Sequence, residues 1–246
     1  AGFADPLIAL FLGTFVLAAA LSREGLDRRV ALRLVAAVGT GPRRVVFALM
    51  AATAGLSMVI SNTAAAAVMV PLALGLITEL GGGTPDAEDG AGEPRRNLRV
   101  AALLGVAYAA SIGGVGTVIG SPPNAIVVDA LAREGVALSF VDWLALGLPI
   151  VAVSLPVGWA ILVYWLYPPA GVEGADRAAA RDRVAALRAD LPPLTPTGRR
   201  VAGVFVVVVA AWILGGLDEV VAPVLPPDLA AVLYGGPGRE GLLYFP

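Results

Sequence analysis

The stretch Leu56–Pro71 reads LSMVISNTAAAAVMVP, and its centre, Ser61-Asn62-Thr63, decides the fold. Three hydrogen-bonding side chains interrupt an apolar run that extends from Val45 to Leu80. A second break of the same kind lies at Ser111–Asn124, SIGGVGTVIGSPPN. Polar groups in hydrocarbon are costly unless other protein groups bury them or they face water. The rest of the chain is therefore read as scaffolding that brings the two breaks together inside a membrane.

Composition supports that setting. Of 246 residues, 58% are hydrophobic and only 15% charged, with a mean hydropathy of +0.82. Soluble domains carry about a quarter charged residues and pattern their apolar residues in stripes; long uncharged blocks belong to membrane helices. The expected class is an all-α polytopic membrane protein whose first partner is the lipid bilayer. With no Cys and no His, thiolate and imidazole metal sites, disulfides and His-activated nucleophiles are excluded. A net charge of −2 gives no reason to expect nucleic-acid binding.

Phe3–Leu21 is the first apolar block, long enough at roughly 28 Å to cross a bilayer core. Ser22–Arg44 carries six Arg and, at Val30–Val38, a short helix expected at the interface. In 45–80, each leg beside the break is about 24 Å long as helix, short for a crossing. The pattern fits a re-entrant hairpin, with two thin spanning helices as the alternative. A polar loop follows at 81–96. Region 98–133 reads as a broken helix, unwound over Gly113–Gly120. Phe140–Tyr167 is a plain spanning helix with interfacial aromatics at both ends and kink points at Pro149 and Pro156. A cytoplasmic loop at 170–200, with a surface helix over Asp176–Asp190, precedes a further span at Val201–Leu217. Another helix starts near Pro223. This layout puts 15 of the 17 Arg, in loops 22–44, 81–99 and 170–200, on one side, which the positive-inside rule makes cytoplasmic.

The breaks carry the chemistry. Ser57 and Ser61 are spaced to share a helix face, and Asn62 or Thr63 is expected to cap the outgoing leg. Gly113, Gly114, Gly116 and Gly120 permit an irregular backbone; Ser121 is an expected N-cap with Pro122 at the first helical position. A half-helix C-terminus presents carbonyls suited to a hard cation, and the next N-terminus presents N–H groups suited to an anion. Discontinuous helices used this way recur in secondary transporters. No Asp, Glu, Lys, Arg or His lies in Val45–Thr78 or Val100–Val128, which favours a metal ion over a proton as coupling ion.

LSMVISNTA followed by SIGGVGTVIGSPPNAI, with FLGTFVLAAAL and GLDRRVAL ahead of them, resembles the divalent anion/sodium symporter family across most of Phe3–Leu233. The resemblance implies a re-entrant hairpin and a broken helix as one of two inverted repeats. It implies sodium (Na+) at Ser57, Ser61, Asn62 and the Gly120 carbonyl, and a substrate carboxylate at Asn62, Thr63 and Ser121. Pro122, Pro123 and Asn124 would shape the same loop. The implied activity is sodium-coupled transport of a small anion (dicarboxylate, citrate or sulfate) by alternating access, by a homodimer in the inner membrane, with no enzymatic step. Residues 1–233 read as a partial transporter domain, lacking the second repeat and a segment before Phe3. The tail at 234–246, YGGPGREGLLYFP, does not continue the preceding helix and reads like a frameshift or gene-call error. The rival expectations are a proton-coupled or arsenite-type carrier of the same superfamily, and a non-transporting truncated membrane fragment.

Overall fold

A computed structural model describes residues 6–38, 41–78, 93–169, 177–217, 221–236 and 239–240. The helices are α1 (Pro6–Arg23), α2 (Leu26–Val38), α3 (Pro42–Ser57), α4 (Asn62–Ile77), α5 (Glu93–Gly114), α6 (Pro122–Arg133) and α7 (Phe140–Ala160). The last continues as a π-helix over Ile161–Leu166. After it come α8 (Arg177–Ala189), α9 (Pro196–Gly215), a 3-10 turn at Ala222–Val224 and α10 (Pro227–Tyr234). Two-residue strands at Gly235–Gly236 and Arg239–Glu240 pair antiparallel. The expected all-α polytopic class is the class adopted. The expected loop over 81–92 and the end of the tail, 241–246, lie outside the described residues.

The core forms around α3, which packs most extensively on α5 and then on α2 and α4. Val45, Val46, Ala48, Leu49, Met50 and Ala52 of α3 are almost completely buried. A helix apolar on every side has to be surrounded by protein or lipid. Close approach comes from small residues facing one another, as in membrane helix pairs generally: a Cβ placed at Gly113 of α5 would stand 2.2 Å from the Ala54 carbonyl oxygen of α3.

Burial falls from the centre outward. Three helices, Arg95–Gly114, Phe140–Leu166 and Pro196–Gly215, are long and apolar enough to cross a membrane, and α1 with α2, bent by 68°, makes up to four. Half of the α5 span is buried by protein, against 28% for α7 and 6% for α9. Val204, Val206 and Val207 of α9 are over half exposed, the surface expected of a helix facing lipid.

The arginine-rich segments converge at one end. The Arg29 guanidinium donates to the Pro192 carbonyl, Thr195 Oγ1 donates to Glu24 Oε2 at 2.6 Å, and Asn97 Nδ2 donates to the Pro168 carbonyl at 3.3 Å. Trp159 Nε1 donates to the Arg43 carbonyl at 2.9 Å, so α3 starts at this end. Pro71 and Gly75 of α4 share a pocket with Arg23, Arg28 and Arg183, so α4 finishes there too. Residues 58–61, between α3 and α4, lie at the other end of both helices, where the Met58 carbonyl accepts from Thr117 Oγ1. The opposing α5–α6 break meets α7 at Gly147, where a Cβ would stand 2.8 Å from the Val115 carbonyl oxygen. That is about 10 Å along α7 from Phe140, inside the helix rather than at its end.

Three expectations change. Helix α2 starts at Leu26, not Val30, and buries Ala31, Leu32 and Val35, so one face is covered by protein instead of resting at an interface. Helix α5 continues through Gly114, leaving only 115–121 without α-helix. Glycine costs a helix about 1 kcal/mol relative to Ala, but the contact with α3 tolerates nothing larger at Gly113, so packing overrides propensity. Pro149 and Pro156 sit inside continuous α-helix, and the irregularity falls later, at the π-helical turns.

Candidate functional site

The two breaks are in contact. Ser57, the last residue of α3, is fully buried, and its Oγ lies 2.6 Å from Asn62 Oδ1 and 2.6 Å from the Ala110 carbonyl oxygen. A serine hydroxyl has one proton, so one of those two short contacts holds no hydrogen. Three oxygens from three helices thus meet, with the one Ser57 proton facing two acceptors. The Ser57 carbonyl, at the C-terminus of α3, accepts no backbone hydrogen bond among the described residues. Gly120 lies against that carbonyl: a Cβ there would stand 2.9 Å from Ser57 O and 2.7 Å from Gly114 O.

The second break is held rigidly around this cluster. Asn124, 8% exposed, donates from Nδ2 to the Gly114 carbonyl at 2.7 Å and to the Thr117 carbonyl at 2.8 Å. Thr117 Oγ1 donates to the Met58 carbonyl and accepts from the Gly120 N–H at 2.9 Å. Thr117 therefore ties the first break to the second. Trp143 Nε1 donates to the Val115 carbonyl at 2.9 Å, which fixes the turn to α7. Asn124 thus shapes the loop. Replacing it by Asp would set a carboxylate oxygen against two carbonyls and remove both donors. Unsatisfied buried acceptors cost about 1–3 kcal/mol. The Asn124→Asp chain is therefore expected to unfold several degrees lower in a thermal melt followed by circular dichroism; an unchanged midpoint would refute this arrangement.

The capping scheme differs from expectation. Ser61, not Asn62 or Thr63, is the N-cap of α4, and its Oγ accepts from the Ala64 N–H at 3.3 Å. Because α3 has already ended at Ser57, Ser57 and Ser61 do not share a helix face, and the Ser61 hydroxyl is engaged away from the oxygen cluster. Moving the cap back by one residue frees the Asn62 carboxamide to face Ser57. It also leaves the Asn62 and Thr63 N–H groups at the head of α4 without hydrogen bonds among the described residues, since the Ser61 cap reaches only the Ala64 N–H. Thr63 is exposed beside them.

At α6 the N-terminus is of another kind. Ser121 occupies the N-cap position but makes no side-chain cap bond. Pro122 and Pro123 have no N–H to offer, and the Asn124 N–H is taken by the Ser121 carbonyl at 3.0 Å. This half-helix presents a hydroxyl and a dipole, not a fan of free N–H groups.

The oxygens suit a hard cation. Neutral hydroxyl, carboxamide and carbonyl groups are its usual ligands at broken membrane helices. Among the described residues no group of three or more His, Cys, Asp or Glu could hold a metal ion, so soft-metal chemistry has no ligands there. An apolar cavity of about 490 Å³ between α1 and α9, lined by Leu10, Gly13 and Trp212 among others, contains none of the break residues. The sequence reading missed Thr117, Trp143 and the Ala110 carbonyl. Only Thr117, a lone hydroxyl among four glycines, left a visible signal.

Geometry and composition thus define a multi-pass helical membrane protein of the cell membrane, with a polar break buried between discontinuous helices. The chain belongs to the citrate transporter family, whose model matches residues 1–239. It is 45% identical over 168 residues to an uncharacterized transporter of Haemophilus influenzae, a match covering 68% of this chain and 33% of that protein. It is 38% identical over 167 residues to the sodium-dependent dicarboxylate transporter SdcS of Staphylococcus saprophyticus, covering 67% of this chain and 31% of the relative. Against SdcS of Staphylococcus aureus it is 35% identical over 165 residues, covering 66% and 31%. The matched region spans about a third of the length of these curated relatives. The resemblance to divalent anion/sodium symporters stands.

Proposed function

We propose that this chain forms part of a sodium-coupled carrier for a small divalent anion, a dicarboxylate, citrate or sulfate, and catalyses no covalent reaction. The observation that carries the reading is the cluster of Ser57 Oγ, Asn62 Oδ1 and the Ala110 carbonyl, in which one serine proton faces two oxygens at 2.6 Å. A cation there relieves the repulsion between close oxygens. Sodium is the ion named for the SdcS relatives, and dicarboxylate is their named substrate. Ser57, Asn62 and Gly120 form the sodium side. Ser61 contributes by capping α4, and its hydroxyl would have to turn from Ala64 to become a ligand. The free N–H groups of Asn62 and Thr63, with the Ser121 hydroxyl opposite, form the anion side. Asn62 serves both, ion through Oδ1 and anion through its N–H, so filling the sodium site orders the residue that receives the anion. The 45–80 segment acts as a re-entrant hairpin whose tip, held to the broken helix by Thr117, moves with it as one body during alternating access.

Proton coupling is the weaker reading because, among the described residues, no ionisable side chain is bonded to the cluster. Asp129, the nearest carboxylate on α6, pairs with Arg133 at 2.7 Å on the exposed helix end. Uptake of labelled succinate, citrate and sulfate into vesicles from cells expressing the full gene product tests the proposal. Uptake is expected to follow an inward sodium gradient and to be unaffected by a pH gradient alone. Flux driven by pH without sodium would overturn it.

A further inference from the structure

The two irregular segments, 58–61 and 115–121, are joined through one side chain. Thr117 is 8% exposed; its Oγ1 donates to the Met58 carbonyl of the first break and accepts from the Gly120 N–H of the second at 2.9 Å. A hydroxyl has a single proton. With the Gly120 N–H held on the oxygen, that proton serves Met58. Among the described residues no other side-chain hydrogen bond connects these two segments. Ser57 Oγ meets α5 at Ala110, before the second break begins, and Asn124 binds the Gly114 and Thr117 carbonyls within the second break.

The link ends where the proposed ion and anion sides adjoin. The Gly120 N–H also lies 3.3 Å from the Thr117 carbonyl, so the hydroxyl makes the shorter of its two contacts. Gly120 faces the Ser57 carbonyl so closely that a Cβ would stand 2.9 Å from it. The Gly120 carbonyl shares a peptide group with Ser121, the residue before α6. The next side chain holds the segment to the rest of the fold: Val118, 1% exposed, packs in a cluster with Ala125, Val128 and Phe140. A shift at the end of α3 therefore passes from the Met58 carbonyl through Thr117 Oγ1 to Gly120 and on to Ser121. Valine has the shape of threonine without the hydroxyl, and would break this chain while filling the same space.

We propose that Thr117 is a positioning residue that couples the two breaks: through its hydroxyl, sodium at Ser57 and Asn62 fixes Gly120 and Ser121 where the anion is received. The inference rests on the sodium-coupled carrier reading above and adds to it a route across the breaks, beside the one within Asn62. Coupling between two binding sites is reciprocal, so the anion tightens sodium by the factor by which sodium tightens the anion.

The test is the sodium concentration that half-protects the full gene product from proteolysis in detergent, measured without anion and with succinate, citrate or sulfate. In the wild-type chain the most effective anion is expected to lower that concentration roughly tenfold, within the usual range of coupling between sites. In Thr117→Val the shift should fall to about twofold or less, and in Thr117→Ser, which keeps the hydroxyl, it should return. A merely structural role would lower the melting temperature and leave the shift unchanged, because the shift compares each protein with itself. Thr117→Cys decides the matter if Thr117→Val fails to fold: a thiol is a weak donor and a weak acceptor, so the shift should again be reduced. A full shift in the variant without the hydroxyl, or no recovery in Thr117→Ser, overturns the proposal and leaves the sodium reading standing. So does a wild-type chain that sodium protects but no anion shifts. A wild-type chain that sodium fails to protect overturns the sodium reading, and this inference with it.

Discussion

Asn62→Ala is expected to abolish sodium-dependent uptake while leaving the fold almost intact. The carboxamide is partly exposed, and its recorded side-chain bond is the 2.6 Å contact with Ser57 Oγ. Without it, Ser57 still donates to the Ala110 carbonyl, so the bond between α3 and α5 survives. The stability loss should be that of one net hydrogen bond, about 1 kcal/mol. The functional loss should be larger because, in the proposed function, Asn62 stands on both the ion side and the anion side. Interactions with a charged partner are worth about 1.5–3 kcal/mol each, so one lost oxygen weakens sodium roughly ten- to hundredfold, and disorder at the head of α4 weakens the anion further. Asn62→Asp separates the ion reading from a bland one. If the carboxamide were turned so that Nδ2 donated to Ser57 Oγ, the cluster would be complete without an ion, and a carboxylate there would disrupt it. If Oδ1 is a cation ligand, Asp retains that oxygen and adds charge. Sodium-dependent protection of the chain from proteolysis should then persist in Asn62→Asp while anion uptake is lost. Loss of both would count against a sodium site here.

Much of this arrangement is legible in the residues because the penalty for polar groups in hydrocarbon is large. Ser57, Asn62 and Asn124 stand in short polar breaks within apolar runs, and each of the three has a side-chain contact at the break. The long apolar blocks marked α5, α7 and α9 by the same logic. What escaped depends on energies that no local window contains. The cap of α4 falls at Ser61 because α3 has already stopped at Ser57, and both residues are equally good caps when read alone. Gly113 and Gly114 read as helix breakers, yet they extend α5, because their meaning is set by the α3 backbone opposite. Ala110 contributes through its carbonyl, and a carbonyl has no letter in the sequence. Asp27 looked like one charge among many at an arginine-rich turn. Its burial becomes visible only when α4 and α8 close over it.

Gly113→Val should be the most destructive single change outside the polar cluster. A Cβ at this position would stand 2.2 Å from Ala54 O, 2.5 Å from Ala54 Cα and 2.7 Å from Ala54 C. These are backbone atoms in the last turn of a buried helix, so no side chain can swing aside to make room. Overpacking that a core absorbs by small shifts costs about 1–3 kcal/mol. Here the shift has to separate α3 from α5, the most extensive helix pair in the fold, and the cost should lie above that range. Separation also pulls Ser57 Oγ from the Ala110 carbonyl three residues earlier on α5, so the proposed ion site should fail together with the packing. Gly203→Val on α9 is the matched control, since a Cβ there meets nothing within 4 Å. Glycine is the poorer helix former, so the control should be neutral or slightly stabilising. Size-exclusion profiles and thermal melts of the two variants in detergent make the comparison. Equal behaviour would mean that α3 and α5 do not pack backbone to backbone at Ala54, and the oxygen cluster would lose the support that places it.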